Sequence, residues 1–78
     1  MSQKVLEIIA RVLEVPRAAV TVESSPKTLQ QWDSLKHMNL ILATEEAFGV
    51  AFGDDDLVAI ADARTLIDAL RKKGAANV

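Results

Sequence analysis

The sequence predicts an all-α domain, a small four-helix bundle with a long first loop and a short third helix. Three observations predict it. Apolar residues recur at helical spacing in separate stretches, Asp33 and Asp62 stand as caps before two of them, and both prolines and all three glycines fall outside the periodic runs. The 78 residues form one domain, 1–78, of a size that buries only roughly 60% of its unfolded surface. A modest core is expected over about residues 3–72, with 74–78 as a frayed tail.

From Ser2 to about Glu14 the pattern is amphipathic. Val5, Leu6, Ile8, Ile9, Val12 and Leu13 cover one half of the circumference and Lys4, Glu7, Arg11 and Glu14 the other. Glu7 and Arg11 are spaced as an exposed pair. This helix is scaffold. Val15-Pro16 ends it, and about seventeen residues of connection follow before Asp33, a length expected only of a functional or anchored loop. Val20, Val22, Leu29 and Trp32 can pin that loop, while Thr21, Ser24, Ser25 and Pro26 supply turn chemistry. Trp32 reads as an anchor with its indole N–H satisfied; a partner contact is the alternative.

Asp33 and Ser34 are both capping types, Leu35 opens a run without proline or glycine, and Gly49 closes it. Ser34 therefore stands where backbone N–H groups lack partners. Those donors and the helix dipole favour an anion, so a phosphate ester on the Ser34 hydroxyl would be well placed. Leu40, Ile41, Thr44, Ala47 and Phe48 fall on one side of this second helix, and Leu35, Met38 and Leu42 on another, with Glu45 and Glu46 around them. One side can pack inward. The other is either covered by a neighbouring helix or serves as an acid-rimmed docking patch.

Val50-Ala51-Phe52 is short, apolar and non-helical, and Gly53 introduces a turn. Asp54, Asp55 and Asp56 open a third, short helix through about Ile60; they lack calcium-loop spacing, and stabilisation of a helix N-terminus accounts for them. Asp62 caps a last helix in which Ala63, Leu66, Ile67 and Leu70 share a face, with Arg71, Lys72 and Lys73 at its C-terminal end.

Nine basic and eleven acidic residues give a formal charge of −2, which makes nucleic acid a poor partner. Without cysteine there is no disulfide, thiolate metal site or thiol nucleophile. No signal-like N-terminus or membrane-length apolar run is present, so a cytoplasmic location without membrane insertion is expected. Asp33, Ser34 and His37 imitate a hydrolase triad, since residues three and four apart on a helix can touch. A triad also needs an oxyanion hole and a pocket, and no other stretch supplies them. His37 is read as structural or surface histidine, and one histidine leaves a metal site short of nitrogen ligands.

Trp32-Asp33-Ser34-Leu35, followed by a mostly apolar helix ending Glu45-Glu46-Ala47-Phe48-Gly49, resembles the acyl carrier protein family. The resemblance extends over about residues 3–72. It implies a bundle of acyl-carrier type, not an enzyme, in which Ser34 carries a covalent 4'-phosphopantetheine arm derived from coenzyme A. Asp33 would cap the helix and assist the phosphopantetheinyl transferase. Leu35, Met38, Leu42, Glu45 and Glu46 would meet the acyl-loading, acyl-modifying or acyl-transferring enzymes, and the carrier would be a monomer. Ser24 and Ser25 compete with Ser34 for modification but lack a helix behind them.

The sequence departs from the family pattern in places. Gln31-Trp32 stands where glycine is common. Fatty-acid-synthesis carriers place acids where this chain has Lys36 and Asn39, so a specialised lipid, polyketide or related pathway is expected over the housekeeping one. Thr44 replaces a bulkier apolar residue, which suits a short or polar cargo unless its hydroxyl bonds its own backbone. A rival from another class is a small helical adaptor that binds through Leu35, Met38 and Leu42 without a prosthetic group.

Overall fold

The periodic stretches fold as their spacing requires. In the computed structural model, which describes residues 2–76 and 78, the helices are α1 (Gln3–Leu13), α2 (Ser34–Phe48), α3 (Asp54–Ala59) and α4 (Ala63–Lys72). A 3₁₀ turn at Arg17–Ala19 lies inside the first loop. Met1 and Asn77, the latter in the expected tail, are outside the described residues.

α1 buries Val5, Leu6, Ile8, Ile9, Ala10 and Leu13. Its partner across the core is α2. Lys4 near the start of α1 lies 5.0 Å from the ring centroid of Phe48 at the end of α2, and Glu14 just past α1 meets Lys36 in the first turn of α2, so the two helices run antiparallel. α4 also packs on α1, and the short α3 packs on α4. Leu66, Ile67 and Leu70 of α4 close the core against Ile9, Leu13 and Leu40. Glu7 and Arg11, despite their favourable spacing, form no ion pair.

The ends of the helices explain the connections. α1 stops at Glu14, which takes the left-handed conformation at φ 59°. There the N–H of Val15 reaches the Ala10 carbonyl at 3.0 Å. Gly49 does the same for α2 at φ 66°, a position where a side chain would be strained. The first loop is an ordered crossing. Val20 and Trp32 are buried, Val22 and Leu29 pack partly buried on the core, and the Ala63 N–H donates to the Ser24 carbonyl at 3.0 Å, tying the loop to the start of α4.

On α2 the inward stripe differs from its sequence pattern at one position. Leu40, Ile41 and Thr44 are buried and Phe48 is half-buried, but Ala47 is exposed and Ala43 packs on the core instead. Periodicity gives the angle of a side chain, while burial needs a neighbour at that level of the helix. Beyond α4, Ala75 and Val78 pack partly buried against the core, and the Ala75 N–H donates to the Leu70 carbonyl.

α4 begins with a reciprocal cap. Asp62 Oδ1 accepts from the Thr65 N–H at 2.8 Å, and Thr65 Oγ1 accepts from the Asp62 N–H at 3.0 Å. The Thr65 backbone bond, followed by its hydroxyl, holds the Asp62 carboxyl below its ordinary value. A carboxylate depressed in the folded state adds stability above its unfolded pKa of about 3.9 and loses it as pH falls through the folded value. Asp62→Ala should lower stability by about 1 kcal/mol at pH 7. Urea unfolding at decreasing pH should show the two proteins converging below about pH 4; an undiminished gap in acid would contradict the assignment.

Candidate functional site

Ser34 is the first residue of α2, and Asp33 makes it so. Asp33 is extended at φ −97°, ψ −175°, its carbonyl accepts from the His37 N–H at 2.8 Å, and its Oδ1 accepts from the Lys36 N–H at 2.8 Å. This cap uses one of the unpaired donors at the helix start. The N–H groups of Ser34 and Leu35 remain directed out of the helix end, where anionic character is favoured. The Ser34 side chain is exposed, and its hydroxyl makes no hydrogen bond among the described residues. It is presented outward on a rigid element.

Trp32 fixes the approach to that serine. It is only 2% exposed, and its Nε1–H donates to His37 Nδ1 at 2.9 Å, with the rings 6.1 Å apart and 27° from parallel. The anchor reading of Trp32 thus holds, and its polar end is satisfied by α2 itself. The same bond dismantles the apparent triad. His37 Nδ1 faces the indole, and Asp33 caps the helix.

Beside Ser34 lies an open cleft of about 600 Å³. The loop contributes Pro26 and Trp32, the start of α2 contributes Asp33, Ser34, His37 and Met38, and the α3–α4 connection contributes Ile60 and Ala61. Its floor is mostly apolar. The competing serines are turn residues: Ser24 is buried with Oγ accepting from the Thr21 N–H, and Ser25 Oγ accepts from the Lys27 N–H.

The outward face of α2 carries Leu35, Met38 and Leu42 at 70%, 51% and 57% exposure. On α3, Val58 is a further exposed apolar side chain, at 86%, that sequence reasoning did not single out. A six-residue helix is too short for periodicity to divide its faces, and the only available signal was Leu57-Val58 following three acids. The acid rim is thinner than its composition implies. Glu46 is exposed, but the Glu45 carboxylate accepts from the Phe52 N–H at 2.8 Å and fastens the α2–α3 connection.

Other charges are likewise engaged. Lys36 Nζ reaches Glu14 Oε2 at 2.9 Å, and this hydrogen bond and charge hold the Glu14 carboxyl below its ordinary value. Asp56 accepts from the Gly53 N–H at 2.9 Å and pairs with Lys73 at 3.0 Å; the backbone bond comes first in lowering its carboxyl. Thr44 is fully buried, and its hydroxyl donates to the Ile41 carbonyl at 2.9 Å. Its donor is spent on the helix, so this position is less polar than the residue type implies.

Residues 3–70 match the family described as phosphopantetheine attachment site. The chain is also 36% identical over 76 residues to the acyl carrier protein of Syntrophobacter fumaroxidans (strain DSM 10017 / MPOB), covering 97% of this chain and 94% of that one.

The geometry separates residues that hold the site from the residue it presents. Trp32→Ala should cost about 3–5 kcal/mol, whereas Ser34→Ala should stay within about 0.5 kcal/mol of the parent. Urea denaturation followed by circular dichroism reads both. A tolerant Trp32 would remove its anchoring role.

Proposed function

The chain belongs to the acyl carrier protein family, whose members bear a phosphopantetheine attachment site, and we propose that Ser34 receives the arm and that the loaded protein serves a specialised lipid, polyketide or related pathway. The observation that carries this reading is the exposed, unbonded Ser34 hydroxyl at the capped start of α2, beside a cleft. A carrier performs no catalysis of its own. The prosthetic group supplies a thiol that this cysteine-free chain lacks, and acyl groups ride on it as thioesters.

Loading is carried out on Ser34 by a phosphopantetheinyl transferase with magnesium and coenzyme A. Ser34 Oγ bonds to the phosphorus nearer the pantetheine, the pyrophosphate P–O bond breaks, and adenosine 3',5'-bisphosphate leaves. The hydroxyl proton passes to a base of the transferase. Asp33 keeps Ser34 at the helix start, and the N–H groups of Ser34 and Leu35 favour the negative charge of the resulting phosphodiester.

Charge supports the choice of pathway. Lys36 and Asn39 replace acids on the face that partners read, and Glu45 is turned to the Phe52 N–H, leaving Glu46 as the exposed acid of the pair. Pairing with Glu14 softens the Lys36 charge without supplying a negative one. Leu35, Met38 and Leu42 then form a docking face that is more apolar than acidic, suited to enzymes without a strongly basic patch. Among the described residues no helix is long and apolar enough to cross a membrane. A cytoplasmic monomer is part of the proposal, since the apolar patch is small and is used for docking.

Incubation with coenzyme A, magnesium and a broad-specificity transferase should add the mass of one phosphopantetheine to the parent and none to Ser34→Ala. A folded, unmodified parent that several transferases leave unchanged would favour an adaptor that docks through the apolar face alone. On the loaded protein, Lys36→Glu should raise kcat/KM with fatty-acid-synthesis enzymes by roughly two- to fivefold at low salt. Added salt should erase the gain; no gain at low salt would disconnect Lys36 from partner choice.

A further inference from the structure

The Trp32–His37 contact sets the chemistry of a ring that lines the same cleft as Ser34. An indole N–H donates and cannot accept, so His37 Nδ1, 2.9 Å away, presents its lone pair. A neutral imidazole that accepts at Nδ1 carries its proton at Nε2. The buried indole therefore fixes both the orientation of His37 and its tautomer. What remains is a half-buried ring with an Nε2–H donor, engaged by no other hydrogen bond among the described residues.

His37 lines the cleft of Ser34, three residues along the same helix face. Once Ser34 Oγ is esterified, no other side chain of the cleft wall has a free donor to offer an anion there. The Trp32 N–H is spent on His37, Asp33 accepts and does not donate, and the remaining walls are proline, methionine, isoleucine and alanine. Lys36, the nearest cation along α2, is drawn to Glu14 and does not line the cleft.

Resting on the reading of Ser34 as the attachment residue, we propose that His37 is a positioning residue for the arm, its Nε2–H donating to the phosphodiester on Ser34, and that Trp32 acts through His37 by holding the donor tautomer. A phosphodiester is the first group beyond Ser34 Oγ, and its non-bridging oxygens are anionic acceptors. Hydrogen bonds to an ionised acceptor are the stronger kind. A donor on the cleft wall turns the arm along the apolar floor and away from free swinging in solvent.

The test uses the full chain, loaded at Ser34 and checked by intact mass, at mildly alkaline pH. Side-chain 15N–1H spectra of the unloaded parent should show His37 protonated at Nε2, and loading should move that Nε2 signal together with the 31P signal. His37→Phe should load yet shift the 31P signal toward that of a free phosphopantetheine diester, with arm mobility rising several-fold. His37→Gln supplies both an acceptor for Trp32 and a donor for the phosphate, and should restore the parent 31P position. Trp32→Phe should release the tautomer and give an intermediate value. An Nδ1-protonated ring in the parent, or a fully loaded parent whose His37 and 31P signals ignore each other, overturns the proposal without touching the attachment reading; this measurement needs no variant to fold. Failure to load, seen first by mass, overturns both.

Discussion

The site depends on one buried side chain. Residues 14–33 form a long connection whose ordering costs conformational entropy at each residue, and few apolar groups along it can offset that cost. Trp32 is the largest of them and the last before the helix. Its burial brings the chain down on the core one residue before Asp33, and its indole N–H is satisfied by the helix that Asp33 caps. Anchor, cap and the exposed Ser34 are thus consecutive links, and an error in the first would be passed to the others.

Much of the fold was legible because α1 and α4 are strongly amphipathic, with charges on one side and branched apolar residues on the other. Their ends lie within about one residue of the boundaries that capping chemistry predicts. α2 was harder for a physical reason. It carries apolar residues on two faces, so its pattern marks a helix without saying which face a neighbour covers. That is why periodicity groups Ala47 with the buried stripe and leaves Ala43 out of it. The 3₁₀ turn at Arg17–Ala19 is a single turn and leaves no periodic trace, and a glutamate gives no warning of a left-handed backbone.

The candidate site was legible in its residues and opaque in its bonds. Asp33, Ser34 and Trp32 were recognisable by type and position. The use of Glu45 to hold Phe52, of Lys36 to meet Glu14 across the bundle, and of His37 to receive the indole N–H involve partners 7, 22 and 5 residues away. Counting acids and bases along α2 treats every charge as free, whereas the folded chain has already committed several of them. The face left for partners is accordingly more apolar than composition implies.

Glu14 joins two properties that are ordinarily independent. Its backbone turns the chain out of α1 in a conformation that suits glycine, and its carboxylate reaches the ammonium of Lys36 on the helix that presents Ser34. A glycine there would ease the turn and, in the same stroke, set Lys36 loose. A change made for a sturdier scaffold would then also alter the charge displayed two residues from Ser34. At this position the backbone turn and the surface charge of the neighbouring helix share a single codon.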